Sequence, residues 1–354
     1  MLILGLESSC DETAASVVED GRVVRSNVVA SQHELHAEYG GVVPEVASRA
    51  HLERLTPVVE AALSDAKLGF NELDAVAVGN RPGLIGSLVV GVSAAKALAW
   101  SLGAPLLGVD HVEAHLYAPL LDTELAESGI YPALGLVISG GHTSLYRVDG
   151  PTALTRLGAT IDDAVGEAYD KAAVMLDAGY PGGPSLDRLA QTGDPDSHDL
   201  PRPMLGKDSL DFSFSGLKTA LLYKVRGKPV GRGAASRFEQ SAADLSETQR
   251  ADLAASFQAA VMDTVERKLK RALVGLREED VEIKTLLAGG GVTANSELRC
   301  RLPAFGQRHG LRVGVPPMAY CIDNAAMIAG LASHRLRCGE TDELVLPVFS
   351  TTRG

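Results

Sequence analysis

Aromatic residues and cysteines are scarce in this sequence of 354 residues. Phenylalanine, tryptophan and tyrosine make up 5% of the chain, so alanine, valine, leucine and glycine must fill most of the interior. The four cysteines have none of the paired spacings of a zinc ribbon or a redox motif, and they are Cys10, Cys300, Cys321 and Cys338. We therefore expect a protein of a reducing compartment.

Positive charge and long hydrophobic runs are also in short supply. The 33 lysines and arginines face 45 aspartates and glutamates, and the net charge of −12 excludes an overall basic surface for nucleic acid, although not a local one. The longest apolar stretch, residues 84–100, is short and contains Lys96, so we do not expect it to cross a bilayer. Residues 1–7 lack the basic start of a signal peptide. These absences predict a cytoplasmic protein without a membrane partner.

Short apolar runs typical of strands alternate with longer amphipathic stretches typical of helices. The predicted strands are residues 2–6, 75–78, 106–109, 134–138 and 285–288. The predicted helices include residues 47–63, 253–273 and 324–331. This alternation predicts an α/β or α+β fold with mixed sheets. Residues 191–246 are rich in glycine, proline, serine and charge, and we interpret them as surface loops and short helices.

The chain contains one internal repeat. Shifting the sequence by 130 positions lays residues 4–6 on 134–136, both Leu-Gly-Leu, and lays Ser9 on Ser139. Each copy has the pattern of a strand, a tight turn of small and polar residues, and a second strand. A chance match of two hairpins is the alternative, because such patterns are common. A duplicated domain, with a boundary near residues 129–132, would set two turns across a cleft, where their backbone N–H groups could bind phosphate.

Two histidines four residues apart follow the strand predicted at 106–109. Asp110 is a suitable N-cap, so the residues after it are expected to form a helix. Residues four apart share one helix face, and His111 and His115 could therefore bind one metal ion. The alternative is two surface histidines at a helix end, and the spacing alone does not decide between them.

Asp323 is the candidate for a third ligand. It stands just before an apolar helix, where its ordinary role would be that of a helix cap. Two histidines and one carboxylate leave coordination positions open for a substrate, as in catalytic metal sites. The zinc-protease motif H-E-x-x-H is a poor match, because Glu113 lies two residues after His111, about 200° around the helix.

Four glycine-rich segments lie at predicted strand or helix boundaries. They are residues 288–292, 180–184 (followed by Asp187), 139–143 and 82–86. Backbone without side chains lets a phosphate or a flat base approach closely. Four such segments together favour a nucleotide cleft over ordinary turns. Neither a P-loop nor a Rossmann dinucleotide motif is present in the sequence.

Residues 202–237 form a basic stretch in an otherwise acidic chain. Asp208 and Asp211 are its only acidic residues, and its basic residues are Arg202, Lys207, Lys218, Lys224, Arg226, Lys228, Arg232 and Arg237. Such a stretch could bind an RNA backbone with release of counterions, or could be a solvated loop.

Taken in order, these motifs closely resemble those of the TsaD family, formerly Gcp, the tRNA N6-adenosine threonylcarbamoyltransferases. The matching motifs run almost from end to end, and they are GLESSCDET (residues 5–13), GGVVPEVASR (40–49), HVEAH (111–115), SGGHT (139–143), YDK (169–171), YPGGP (180–184), FSFSGLKT (212–219), GGGVTAN (289–295) and CIDNAA (321–326). Two positions depart from the family pattern. Arg81 replaces a usual glycine, which puts the shape of that loop in doubt, and Ile322 replaces a usual threonine.

The resemblance implies the ASKHA fold of actin, Hsp70 and sugar kinases, in which two duplicated α/β domains enclose a nucleotide cleft. We expect a first domain of residues 1–131 with 320–354, and a second of 132–319 that carries a basic insertion at about 200–250. The implied cofactor is one divalent ion, iron or alternatively zinc, on His111, His115 and Asp323. The implied substrate-binding residues are Val137, Ile138, Ser139, Gly140, Gly141, Asp170, Gly183, Asp187 and Asn295.

The implied reaction moves the threonylcarbamoyl group of threonylcarbamoyl-AMP to N6 of adenosine 37, next to the anticodon, in tRNAs reading ANN codons. The products are t6A and AMP. Asp11, in the turn of the first hairpin, is our candidate base or orienting group for the attacking amine. The implied partners are tRNA, a paralogous TsaB-like protein and a TsaE-like ATPase. The rival functions are an ASKHA enzyme that uses Mg²⁺ and ATP, a non-catalytic scaffold and an endopeptidase.

Overall fold

The computed structural model describes residues 1–39, 41–125, 129–231 and 237–352, so that Gly40 of the second motif and Arg232 of the basic stretch lie outside the described residues. The strands are β1 (Leu2–Glu7), β2 (Glu12–Glu19), β3 (Val23–Ser31), β4 (Ala75–Arg81), β5 (Leu106–Asp110), β6 (Ala133–Ile138), β7 (Thr143–Gly150), β8 (Ala153–Ala159), β9 (Thr285–Gly289) and β10 (Arg312–Gly314). The α-helices are α1 (His33–Ala37), α2 (Pro44–Ala66), α3 (Ile85–Leu102), α4 (His111–Tyr117), α5 (Val165–Met175), α6 (Gly182–Ala190), α7 (Ser215–Arg226), α8 (Glu247–Glu278), α9 (Ser296–His309) and α10 (Ala325–Arg337).

The strands form two five-stranded sheets with the same topology. The first sheet has the order β3-β2-β1-β4-β5 and the second has the order β8-β7-β6-β9-β10. In each sheet the first three strands of this order pair antiparallel with one another. The last two strands pair parallel with the central strand, β1 or β6, and with each other. The internal repeat is therefore a structural duplication, as predicted.

The duplication holds at the level of strand register. Gly5 pairs with Ser16 in the first hairpin, and Gly135 pairs with Tyr146 in the second, so both partners are displaced by the same 130 positions. Each central glycine lies under a helix. A Cβ on Gly5 would lie 2.3 Å from the carbonyl oxygen of Ala325 in α10, and one on Gly135 would lie 2.9 Å from a methyl group of Leu116 in α4. These glycines let the helices approach the sheets closely.

Both sheets pack against a shared middle layer of helices. In β1, Ile3 faces α10 and the middle layer, whereas its neighbour Leu4 packs with α2 and α3 on the outer face. Val137 of the second sheet joins the same middle cluster, and Ile138 faces the outer helices α5 to α9. The order of layers is α2 and α3, first sheet, α4 and α10, second sheet, α5 to α9. Residues from both ends of the chain are thereby brought between the two sheets.

Helix α3 is long and apolar enough, by length and composition alone, to cross a membrane. Its buried face, which includes Leu88, Val92 and Ala95, packs against β4 and α2. Its other face leaves large apolar side chains exposed, among them Val89 at 46% and Trp100 at 75%. Only a third of the helix is buried, so a wide apolar surface remains on the outside of the first sheet.

Several predicted elements need correction or extension. The glycines at 182–183 were predicted in a loop, but they form the first turn of α6, with Pro181 as N-cap. The sequence analysis did not predict β3, β8 or β10, which pair at or next to sheet edges and bury less of their surface. The stretch 191–246 contains one helix of 12 residues, α7. The proposed domain limits remain a prediction, and α10 packs on β1 and β2 of the first sheet.

Candidate metal centre between the two sheets

Helix α4 carries the two histidines at its start, directly after β5. The Asp110 carboxylate caps the helix, as predicted, because its Oδ1 atom accepts hydrogen bonds from the N–H groups of Val112 at 2.9 Å and Glu113 at 3.3 Å. One helical turn then aligns His111 and His115, whose ring centres are 4.6 Å apart. Both imidazoles are buried, and His115 is completely inaccessible to solvent.

Asp323 meets both histidines although it lies more than 200 residues away in the sequence. Its Oδ1 atom is 3.3 Å from Nε2 of His111 and 3.2 Å from Nε2 of His115. The cap of α10 is the next residue, Asn324, whose side-chain oxygen accepts the N–H of Met327 at 3.0 Å. The alternative role of Asp323 as a helix cap is therefore wrong, and its carboxylate is available to the two imidazoles.

Glu7, at the end of β1, orients His111 from the other side. Its Oε2 atom lies 2.9 Å from Nδ1 of His111, and its Oε1 atom accepts the N–H of Ser9 at 2.5 Å. Room for this carboxylate comes from Gly79, where a Cβ would lie 2.7 Å from Glu7 Oε2. A carboxylate on Nδ1 holds a proton on that nitrogen and fixes the ring orientation in which Nε2 faces Asp323, as around metal-bound histidines. Sequence reasoning missed Glu7, although an acidic residue ending a buried apolar strand is unusual enough to have been noticed.

The pKa shifts of the three side chains are those expected of a site that binds positive charge. Burial lowers the pKa of His111, but the carboxylates of Asp323 and Glu7 outweigh it and raise that pKa well above its usual range. Burial also opposes ionisation of Asp323, yet the charge on His111 holds the pKa of that carboxyl well below its usual range. Burial and the neighbouring His111 lower the pKa of His115.

The chemistry of these donors fits a divalent transition-metal ion. Among the described residues, neither ring nitrogen of the buried His115 makes a hydrogen bond, although Nε2 faces the Asp323 carboxylate. An uncharged imidazole without a partner is costly to bury unless a cation uses its lone pair. The candidate ligand atoms of all three residues lie within 4.8 Å of one another, and imidazoles favour a transition ion over Mg²⁺.

The turn of the second hairpin reaches the same centre. The pKa of His142 is lowered to about 4, mainly by burial and further by the nearby His111 and His115. Its imidazole is therefore neutral at pH 7. The turn itself is tight, since the Ser139 side chain accepts the N–H of His142 at 3.1 Å. The sequence analysis placed this turn in a phosphate-binding role but did not connect His142 with the candidate metal ligands.

The glycine-rich segment after β9 packs directly onto both the turn and α4. A Cβ on Gly289 would lie 1.9 Å from the carbonyl oxygen of His115, and one on Gly290 would lie 2.5 Å from that of Ile138. Gly290 also has a φ of 102°, which favours glycine. These two glycines therefore bring the segment against the elements that carry His115 and the predicted substrate turn.

Four other glycines leave backbone facing open space. A Cβ on Gly140, Gly141, Gly183 or Gly291 would meet no atom within 4 Å. All four belong to segments predicted to bind nucleotide or phosphate. Backbone of this kind can approach a flat base or a phosphate without hindrance.

The remaining predicted substrate residues fall into two groups. The side chains of Val137 and Ile138 are completely buried in the two cores, so only their backbone could contact a ligand. The polar side chains of the second group accept hydrogen bonds from residues at the starts of helices. Asp170 accepts the N–H of Gly183 at 3.1 Å, and Asp187 accepts both the N–H and the hydroxyl of Ser296. Asn295 caps α9 by accepting the N–H of Leu298 at 3.0 Å. Their binding of substrate remains a prediction.

The basic stretch is partly committed to contacts within the protein. Arg202 pairs with Asp263 at 3.1 Å, and Lys218 pairs with Asp163 at 2.6 Å. Arg226 is half-buried, with its guanidinium 5.9 Å from the ring centre of Phe238. The exposed cations of the described part of the stretch are Lys207, Lys224, Lys228 and Arg237.

Arg81, the first departure from the family pattern, ends β4. Its guanidinium lies 4.0 Å from the ring centre of Phe349, and the adjacent Asn80 donates to the carbonyl of Pro347 at 2.9 Å. Arg81 thus holds the C-terminal tail against the first sheet. Ile322, the second departure, is 43% exposed beside Asp323.

Two repeated sheets of this topology, surrounded by helices and joined at a polar centre, define the ASKHA class of two-lobed α/β proteins. Solved structures of the same fold include HypF from T. kodakarensis, with a TM-score of 0.59 and 18% identity over 97% of this chain and 48% of that one. A full-length HypF in its phosphate- and nucleotide-bound form gives a TM-score of 0.55 at 14% identity, over 95% of this chain and 56% of that one.

The sequence profile of the family described as TsaD: tRNA N6-adenosine threonylcarbamoyltransferase matches residues 23–330. A relative with that name from Trichlorobacter lovleyi is 49% identical over 99% of this chain and 96% of its own length. Another from Sorangium cellulosum is 48% identical over 98% of this chain and 95% of its own. The chain belongs to the TsaD family, and it is a transferase that modifies tRNA.

Proposed function

We propose that this protein transfers the threonylcarbamoyl group of threonylcarbamoyl-AMP to N6 of adenosine 37 in tRNAs reading ANN codons, releasing AMP and forming t6A. The observation that carries the proposal is the meeting of His111, His115 and Asp323 beside open glycine backbone at the junction of both hairpin turns. A metal centre next to open glycine backbone suits attack on a carbonyl that is joined to a phosphate. Membership of the family supports the same reaction.

We propose His111, His115 and Asp323 as the ligands of one divalent ion, iron or alternatively zinc. When bound, such an ion supplies Lewis acidity toward the carbamoyl carbonyl and offsets charge on the leaving phosphate. Glu7 holds the His111 imidazole in the tautomer that leaves Nε2 free for this role. His142, neutral at pH 7, adds no positive charge that would compete for Asp323.

The backbone of the turn at Ser139 to Gly141 is proposed to hold the phosphate or the developing oxyanion. A Cβ on Gly140 or Gly141 would meet no atom within 4 Å, so an anion can approach the N–H groups of these two residues closely, whereas the N–H of Ser139 already donates to the carbonyl of His142. The exocyclic amine of adenosine is a poor nucleophile, and we assign its orientation to Asp11 in the facing hairpin turn. The target base must leave its stacked position to reach these groups.

The partner proposals rest on two surfaces. The exposed cations Lys207, Lys224, Lys228 and Arg237 suit a tRNA backbone. The exposed apolar face of α3, which includes Val89 and Trp100, is large for an isolated protein, and we propose that the TsaB-like paralogue covers it. The TsaE-like ATPase and the cytoplasmic location follow from the resemblance and the sequence.

The deciding experiment incubates the purified protein with threonylcarbamoyl-AMP, unmodified tRNA and the two partner proteins, digests the tRNA and measures t6A. We expect t6A in wild type, and loss of both bound metal and t6A in His111→Ala and His115→Ala. His309→Ala, on the distant end of α9, is the matched control and should retain both. Product formed without metal would contradict the role of the ion. ATP hydrolysis without t6A would favour the rival kinase-like function.

A further inference from the structure

A second group of potential metal ligands lies in the first hairpin turn, separate from the candidate metal centre. It consists of Asp11 and Glu12 at the start of β2 and of His33, the first residue of α1. Nε2 of His33 is 3.4 Å from Glu12 Oε1 and 3.7 Å from Asp11 Oδ2. All three ligand atoms lie within 4.8 Å of one another.

These distances fit ligands of one cation. Atoms bound at about 2.1 Å to the same ion are about 3.0 Å apart in neighbouring octahedral positions and about 3.4 Å apart in tetrahedral ones. The two spacings around His33, 3.4 and 3.7 Å, lie within about 0.3 Å of the tetrahedral value, and must shorten by about 0.4 and 0.7 Å to reach the octahedral one. The ring also meets the edge of Tyr180, with the two ring centres 6.1 Å apart.

Glu12 is the observation that points to a ligand. Its side chain is 8% exposed, and among the described residues the only nitrogen donor in contact with its carboxylate is the His33 ring. Two adjoining carboxylates, one of them more than nine-tenths buried, are costly unless positive charge joins them.

The surroundings include a further carboxylate, that of Asp170, which interacts electrostatically with His33. Asp170 and the hydroxyl of Tyr180 lie across the junction, and Asp11 and Glu12 are among the groups that raise the pKa of Tyr180, after burial. His33 is 42% exposed, so a solvated cation can reach the group from outside. The free carboxylate oxygens and open solvent leave further coordination positions for water or a ligand.

We propose that Asp11, Glu12 and His33 form a second divalent-cation site, of the kind that Mn²⁺ occupies, beside the candidate metal centre. Two carboxylates and one imidazole are a mixed oxygen and nitrogen set that suits Mn²⁺ better than Mg²⁺. The site itself stands on geometry and burial. Its use rests on the proposed function: the ion screens the carboxylates so that the phosphate of the adenylate can enter, and Asp11 keeps one oxygen to orient the amine.

The test titrates Mn²⁺ into full-length protein whose candidate metal centre has been filled with Zn²⁺, and follows free Mn²⁺ by electron paramagnetic resonance. We expect one Mn²⁺ per chain in wild type. Glu12→Gln should abolish this binding, and His33→Ala should weaken it at least 10-fold. Glu34→Gln, the exposed acidic neighbour of His33, is the matched control and should bind as wild type does.

Each outcome separates the second site from the proposed function. Zinc content, measured on the same samples, should stay at one per chain in Glu12→Gln and His33→Ala, whereas Mn²⁺ binding should persist in His111→Ala. Thermal unfolding confirms that each variant is folded, and Asp11→Asn replaces Glu12→Gln if that variant is not. Wild type that takes up no Mn²⁺ at millimolar concentration, or Glu12→Gln that binds it unchanged, overturns the proposal. Formation of t6A by wild type in the absence of Mn²⁺ would overturn the proposed use of the ion in the reaction, whereas the binding measurements alone decide whether the site exists.

Discussion

Gly289→Ala should disable the candidate metal centre although it replaces none of the candidate ligands. In the native structure the Cβ would lie 1.9 Å from the carbonyl oxygen of His115 and 2.5 Å from the carbonyl carbon. Reaching the 3.4 Å of an ordinary contact requires a relative shift of about 1.5 Å between β9 and α4. Both atoms in conflict are backbone, so no side-chain rotation relieves the overlap.

A shift of this size is far outside what a metal site tolerates. Ligand distances must stay within about 0.2 Å of their ideal values, and α4 carries two of the three candidate ligands. We expect metal affinity to fall at least 10-fold and the free energy of unfolding to fall by about 1–3 kcal/mol, the usual cost of overpacking a core. Metal content after dialysis against a competing chelator, together with urea unfolding, measures both effects.

Gly291→Ala, two residues further on, is the matched control. Its Cβ would meet no atom within 4 Å, and its φ is not in the left-handed region, so metal content and stability should be those of wild type. The reasoning is refuted if Gly289→Ala retains one metal ion per chain with wild-type affinity. It is also refuted if the control loses metal to the same extent.

Three further predictions follow from single contacts. Glu7→Gln should lower metal affinity about 10–100-fold with wild-type folding by circular dichroism, because the amide holds His111 less firmly; unchanged affinity would contradict the orienting role. Burial opposes ionisation of Asp163, but hydrogen bonds from two lysines lower its pKa, so its stabilisation is present above the unfolded-state pKa of about 3.9 and is lost as pH falls through the lower folded-state value. Urea unfolding should show Asp163→Asn about 1–2 kcal/mol less stable than wild type at pH 7, with the difference closing below about pH 4; a constant difference would argue against the ion pairs. Lys224→Glu with Lys228→Glu should weaken tRNA binding and flatten its salt dependence, as measured by filter binding, whereas equal affinity at every salt concentration would return these residues to a solvated surface.

The central strands were predicted correctly because a strand that is buried on both faces appears in the sequence as a continuous apolar run. All five predicted strands are present, each lengthened by up to three residues, and the 130-residue displacement of the hairpins reappears in the register of Gly5 and Gly135. The edge strands were missed since their side chains face solvent on one side and carry no continuous apolar run. Residues 182–183 were misassigned because two glycines and two prolines favour turns locally, whereas packing of α6 against α5 and α8 decides the helix.

The candidate metal centre shows what spacing can and cannot predict. His111 and His115 are four residues apart, and helix geometry alone puts them on one face. Asp323 carries no such relation: the sequence offered it as a candidate third ligand with a helix cap as the alternative, and the family resemblance favoured the ligand role. Glu7 and Glu12 were not predicted, because an acidic residue in a buried strand has meaning only once its neighbours across the fold are known.

The duplication explains why these distant residues meet. The same strand order in both halves puts the turns after β1 and β6 at corresponding ends of their sheets, and the shared middle layer of α4 and α10 holds those ends together. Helix α4 follows the last strand of the first sheet, whereas Asp323 precedes α10, which returns to that sheet from the far end of the chain. Helix α4 contacts strands of both sheets, whereas α10 packs on the first sheet, so a movement of α4 with the second sheet would alter the coordination geometry. Metal affinity should therefore report the position of α4 relative to α10, and binding of a partner to the exposed face of α3 should change the affinity only if that position changes.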